Sequence, residues 1–264
     1  MGNVTKSEIV ILVLLAAFLM FAGVNFDDKI QNLFGFIVLF IAIIRILDIN
    51  QKTSFPIERV RNLKRTFTLT VIGLVATYLG TMLVFGIDNY FGGKLFGIQN
   101  VSLNTVFSLF AQQPFVFSGN IILTFLAIGF VVAISETWLL ITLMDFIADK
   151  FNIDFDLMKA RTYAIILLLV GGIVTLHFNV KGFTAAALVP VAVFFFVSLI
   201  IAIKERQGLA AIFMHVINNT IALTISYGVI SSLTITGPLL IGITVMVGIY
   251  LLFKTKILVR PLGG

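Results

Sequence analysis

The 264-residue sequence contains no cysteine, which excludes disulfide bonds, thiol catalysis and thiolate metal sites and leaves the redox compartment open. Charge is also scarce: Asp, Glu, Lys and Arg make up 11% of the chain, against 59% hydrophobic residues and a mean hydropathy of +1.12. Soluble domains carry about 25% charged residues, so this composition is that of an integral membrane protein, with membrane lipids as its first partners. The formal net charge of +6 would suggest nucleic acid in a soluble protein. Here it reflects charged loops that set topology, and no nucleic-acid partner is expected. An internal repeat, a low-complexity tract and a long linker are missing too, which argues for a single membrane domain over 1–264.

A helix needs about 20 apolar residues to cross the hydrocarbon core of a bilayer. Runs free of charge therefore predict an all-α, polytopic fold of about eight spans, at 9–26, 31–47, 66–87, 119–144, 163–180, 183–203, 208–230 and 233–253. Arg45 interrupts the second. The uncharged stretch 95–118 is broken by "IQN", "SLN" and "AQQP" and reads as an interfacial or re-entrant segment. The stretch 145–162, "DFIADKFNIDFDLMKART", mixes aromatic and charged residues and is expected to lie along the interface.

Positive loops remain cytoplasmic. Of the 18 Lys and Arg residues, Lys6 and the clusters 45–65, 150–161, 204–206 and 254–260 fall on one side. Only Lys29, Lys94 and Lys181 fall on the other, so both termini are expected in the cytoplasm. The first span could instead be a cleavable signal peptide, but the spans that follow favour a retained anchor.

Against this background a few polar residues stand out. Glu136, in "FVVAISETWLLITLM", is the one acid far from a predicted loop, with no other charged residue between Leu95 and Met144. A carboxylate at that depth is costly and usually faces the bundle interior, paired or functional. The only two histidines, His177 in "GGIVTLHFNV" and His215 in "FMHVINN", both fall inside predicted spans. His215 and Asn219 are four apart and share a helix face, with Asn218 on an adjacent one.

Any one such residue is ordinarily interhelical glue, worth about 0.6 kcal/mol. A set drawn from several spans asks for more. A carboxylate near an imidazole can hold and deprotonate a water, while a second imidazole and an amide can stabilise a developing oxyanion. Glu and two His could instead bind zinc, but the H-E-x-x-H arrangement is absent, so no metal and no other cofactor is expected.

The stretch "FFFVSLIIAIKERQGLAAIFMHVINN", residues 194–219, resembles the third motif region of the CAAX-protease and bacteriocin-processing family of membrane peptidases. That family shows a span ending in an E-R-x-G turn, here Glu205 to Gly208, followed by a helix with H-x-x-x-N or H-x-x-N-N, here His215, Asn218 and Asn219. Its second motif, F-x-x-x-H, places its histidine at His177, with Ile173 in the phenylalanine position. Its first motif, E-E-x-x-x-R, is reduced to one acid. With Glu136 as the second glutamate, Ser135 and Leu140 stand at the first-acid and arginine positions; with Glu136 as the first, Thr137 and Ile141 stand at the second-acid and arginine positions. The former register looks better by sequence, and it lacks the acid to which the family's water activation is attributed.

The resemblance covers about 120–225, giving a CAAX-protease-like core at 119–230 between divergent N-terminal helices (1–118) and a C-terminal helix with a basic tail (231–264). It implies a polar intramembrane cavity formed by Glu136, His177, His215 and Asn219. The implied activity is that of a metal-independent endopeptidase acting on a membrane-associated peptide, prenylated or not, or on another membrane protein. Two rivals remain: a non-catalytic relative that binds a peptide, helix or lipid, and a transporter with a Glu/His proton relay. The absence of an inverted repeat weighs against the transporter. One tension is geometric. Glu136 lies nine residues before Asp145 and His215 nine after Arg206, each about 13 Å from the basic side by helix rise, whereas His177 is four residues from Lys181. A common site requires the fifth span to start later or its end to dip inward.

Overall fold

The computed structural model describes residues 63–99, 101–110, 125–181, 183–205 and 208–226, together with Ser7 and Val10. Among the described residues every regular element is helical: α1 (Leu63–Tyr90), a short α2 (Leu103–Phe110), a π-helical stretch (Phe125–Val132) running directly into α3 (Ala133–Phe151), α4 (Ala160–Lys181), α5 (Ala185–Glu205) and α6 (Leu209–Ser226). The predicted spans 66–87, 163–180 and 183–203 fall on α1, α4 and α5, three helices long and apolar enough to cross a membrane. α6 is apolar but shorter. The predicted spans 31–47 and 233–253, and 9–26 apart from Val10, lie outside the described residues.

α1 is apolar outside and polar inside. Phe67, Val71, Val75, Leu79, Leu83 and Ile87, spaced by four, point outward, while Thr66, Thr70, Thr77 and Thr81 are buried. A helix facing water has the reverse arrangement. The inward hydroxyls donate to the helix's own carbonyls, Thr70 to Thr66 (2.9 Å), Thr77 to Gly73 (2.9 Å) and Thr81 to Thr77 (2.8 Å). Such internal satisfaction is what a hydrocarbon surround demands of polar atoms.

The helix contacts fix directions and levels. Thr70 reaches the Ala210 carbonyl, Tyr78 bonds Asn218, and Gly73 abuts Met214, so α1 and α6 run parallel at a near-constant offset of 140 residues. That offset sets His215 level with Val75, close to the middle of α1. Gly208 lies against Ile141, and Gly129 against Thr220 and Leu223, so the π–α3 helix runs antiparallel to α6. α2 tucks against α1, α5 and α6 with Val106 and Leu109 buried.

The stretch 145–162, expected at the interface, is divided between a helix end and a turn. Residues 145–151 continue α3, which ends at Asn152 in the left-handed conformation (φ 48°), with the Ile153 N–H on the Ala148 carbonyl at 2.8 Å. This is the usual way to satisfy the last carbonyls of a helix. Phe155 is buried under the turn, and the Thr162 hydroxyl donates to the Asp156 carbonyl (2.7 Å) where α4 begins.

This longer hairpin removes the geometric tension. Glu136 lies 15 residues before the end of α3 and His177 lies 17 after the start of α4, about 22 and 25 Å from the same turn at 1.5 Å per residue. The two therefore sit side by side, and α4 needs neither a later start nor an inward dip. The hairpin projects beyond the α5–α6 turn, which meets α3 near Ile141. With these directions, Lys64, Lys150, Lys159 and Lys204 gather at one end of the described helices and Lys94 and Lys181 at the other.

Two measurements follow. Because the chain has no native cysteine, single cysteines at Lys64, Lys159 and Lys94 report topology cleanly. An impermeant thiol reagent applied outside intact cells is expected to label Lys94→Cys and spare the other two; the opposite pattern inverts the assignment. At Gly208, an added side chain meets Ile141 Cδ1 and the Trp138 ring, whereas Gly86 faces open space. Gly208→Val is expected to lower stability in detergent by about 1–3 kcal/mol through overpacking. Gly86→Ala is expected to change it little or raise it by about 0.5–1 kcal/mol. Thermal unfolding followed by the fluorescence of Trp138, the sole tryptophan, measures both.

Candidate functional site

Three helices each bring one ionisable side chain to a common point. Glu136 sits in the first turn of α3, immediately after the π-helical stretch, a rare conformation that tends to occur at functional positions. His177 comes from the last turn of α4, and His215 from the second turn of α6. Glu136 is 1% exposed, and both histidines are buried. His177 Nε2 lies 3.7 Å and His215 Nε2 3.6 Å from the same carboxylate oxygen, Glu136 Oε2. Those separations are too long for direct hydrogen bonds and short enough for strong electrostatic coupling or a shared bridging group.

The far side of each ring is held. His177 Nδ1 lies 2.8 Å from the Ile173 carbonyl, one turn earlier on α4. Position 173 thus acts through its backbone, which any apolar side chain can supply. The His177 carbonyl in turn accepts the Phe183 N–H (3.5 Å), which folds the α4–α5 turn back over the histidine. α5 then begins with the Thr184 hydroxyl accepting from the Ala187 N–H at 3.3 Å, a normal helix cap. His215 Nδ1 lies 2.9 Å from Thr137 Oγ1 on α3.

Aromatic rings fix the imidazole planes. His177 stands 5.5 Å from Phe183 and 5.8 Å from Phe195, and His215 stands 4.9 Å from Phe194 and 5.2 Å from Phe195, centre to centre. Phe195 thereby contacts both histidines. Sequence reasoning gave Thr137 only as a second-acid position and Phe194 and Phe195 only as part of a motif stretch, and it assigned none of them a contact with the histidines. "FFF" at 194–196 resembled any apolar run, and Thr137 any helix threonine.

Asn219 is buried on α6 one turn beyond His215. Asn218 serves a different purpose: the Tyr78 hydroxyl donates to its Oδ1 at 3.2 Å and ties α6 to α1. Ser135 and Leu140 are both buried, Leu140 in the apolar core. Ser135 Oγ, Trp138 Nε1 and Thr142 Oγ1, spaced three and four apart on α3, meet no hydrogen-bond partner among the described residues. Buried donors of that kind are costly when dry and are the positions that internal water satisfies.

Comparison with family models, curated proteins and solved structures finds no match.

Glu136, His177 and His215 have the chemistry of zinc ligands. Among the described residues, however, no group of three His, Cys, Asp or Glu side chains is arranged to hold a metal ion. Metal analysis of the purified protein is expected to find no stoichiometric zinc. Zinc present in wild type and lost together in Glu136→Gln, His177→Ala and His215→Ala would identify a metal centre instead.

Proposed function

We propose that the protein is an intramembrane hydrolase resembling the CAAX-protease and bacteriocin-processing family, an endopeptidase acting on a membrane-associated peptide. The observation that carries this reading is the approach of two imidazoles from separate helices to a single buried carboxylate oxygen, at 3.6 and 3.7 Å. His215 also ties α6 to α3 through Thr137, but that contact uses its far nitrogen and leaves the approach of both Nε2 atoms to the carboxylate as a separate feature. The outward apolar face of α1 and the level of the site near the helix midpoint support an intramembrane location.

In this reading Glu136 takes a proton from a water that it holds together with His177. The water oxygen bonds to the peptide carbonyl carbon, and the resulting oxyanion is met by His215 and Asn219. Collapse breaks the C–N bond, and Glu136 returns the proton to the departing amine. Acid and base work by one residue conserves the proton, and no redox partner is needed. The position of Glu136 opposite both histidines favours the register in which it is the first glutamate of the family pattern. Thr137 and Ile141 then stand where the second acid and the arginine would be, rather than Ser135 and Leu140 at the first acid and the arginine.

A second reading, a binding scaffold without turnover, is favoured by that same pair of departures. Glu136→Gln separates the two. It preserves shape and removes the base, so cleavage is expected to fall by about 10²–10⁴ while the fold persists. The assay is a panel of membrane-anchored peptides, prenylated and unprenylated, incubated with full-length protein in detergent and in lipid. Equal, null turnover by wild type and Glu136→Gln, with a peptide still bound, sinks the peptidase reading and leaves the scaffold.

A further inference from the structure

The two histidines beside Glu136 are not chemically equivalent, because their far nitrogens meet different partners. A backbone carbonyl only accepts, so the contact from His177 Nδ1 to the Ile173 carbonyl requires a proton on Nδ1. In neutral His177 the Nε2 that faces Glu136 is then bare.

His215 meets a hydroxyl, which can donate or accept. What decides is where the Thr137 proton goes. Among the buried helix threonines, Thr142 meets no partner among the described residues, whereas Thr70, Thr77, Thr81, Thr220 and Thr224 donate to the carbonyl four residues earlier. Thr137 is as buried as they are, yet its sole hydrogen bond among the described residues is to His215 Nδ1. A hydroxyl proton left without an acceptor in an apolar interior costs most of a desolvation penalty. Donation to Nδ1 avoids it.

We infer that Thr137 is a positioning residue which holds His215 as its Nε2–H tautomer, opposite to His177, so that Glu136 stands between one imidazole that donates and one that accepts. The hydrogen bond at one ring nitrogen sets the protonation of the other. Donor His215 Nε2–H can then face Glu136 Oε2 at rest or a developing oxyanion in turnover. Between Glu136 Oε2 and bare His177 Nε2, two acceptors 3.7 Å apart, belongs a group with two protons to give, which is what a water offers. The division of labour between the histidines rests on the hydrolase reading; the tautomers do not.

With only two histidines in the chain, both rings can be read directly. Full-length protein labelled with 15N-histidine in micelles, at alkaline pH where imidazoles are neutral, gives four ring-nitrogen signals, assigned with His177→Gln and His215→Gln. A bare imidazole nitrogen resonates far from a protonated one. The expected spectrum has a protonated Nδ1 in His177 and a bare Nδ1 in His215. Thr137→Val is expected to shift His215 toward a mixture of tautomers, and Thr137→Ser, which keeps the hydroxyl, to restore the wild-type pattern. Protonated Nδ1 on wild-type His215, or a His215 pattern unmoved in folded Thr137→Val, overturns the inference. The wild-type spectrum alone decides the first point even if Thr137→Val does not fold. Expected tautomers in a protein that cleaves no peptide would uphold this inference while rejecting the hydrolase.

Discussion

Taking a carboxylate out of water costs several kcal/mol even after the surroundings relax, and only well-placed partners offset it. Glu136 imposes that requirement on the bundle. Its oxygen is approached by imidazoles from α4 and α6, so three helices must hold their relative rotation and level to within a fraction of a turn. A displacement of one residue along any helix shifts its side chain by 1.5 Å and turns it by about 100°. Either change would strand the carboxylate in the apolar core. The α3–α4 hairpin, with its capped turn at 152–159, and the close contact of Gly208 with Ile141 and Trp138 are the devices that keep those levels.

The rings that surround the histidines extend the same constraint. Phe195 bears on both imidazoles, Phe183 on one and Phe194 on the other. Since a site must be held to about half an ångström to be productive, rigid aromatic neighbours and satisfied far nitrogens matter as much as the ionisable groups. The backbone carbonyl of Ile173 and the hydroxyl of Thr137 complete this outer layer. They also differentiate two residues of the same type, which composition alone would treat as interchangeable.

α1 bears the imprint of its surroundings. Threonines face inward and large apolar side chains face outward at a spacing of four, the inverse of a helix in water. Hydroxyls of α1 are satisfied within the helix, and Tyr78 ties it to Asn218 of α6.

The apolar surroundings and the candidate residues were legible in the linear chain. Hydropathy is a sum over neighbouring residues, so the apolar helices α1, α4 and α5 were legible at nearly their observed limits, and an acid without a loop made Glu136 conspicuous. The restriction of both histidines to spans was equally plain. Their meeting was not, because depth counted from the nearest charged residue set His177 far from the other two. Packing brings them together: α3 continues through charged residues to Phe151, which raises its hairpin relative to the α5–α6 turn and sets Glu136 level with His177. The roles of Thr137 and Phe195 beside the histidines were illegible for a related reason. Their residue types are ordinary in any apolar helix, and their roles come from which face of a neighbouring helix they meet, a property of packing that no local pattern encodes.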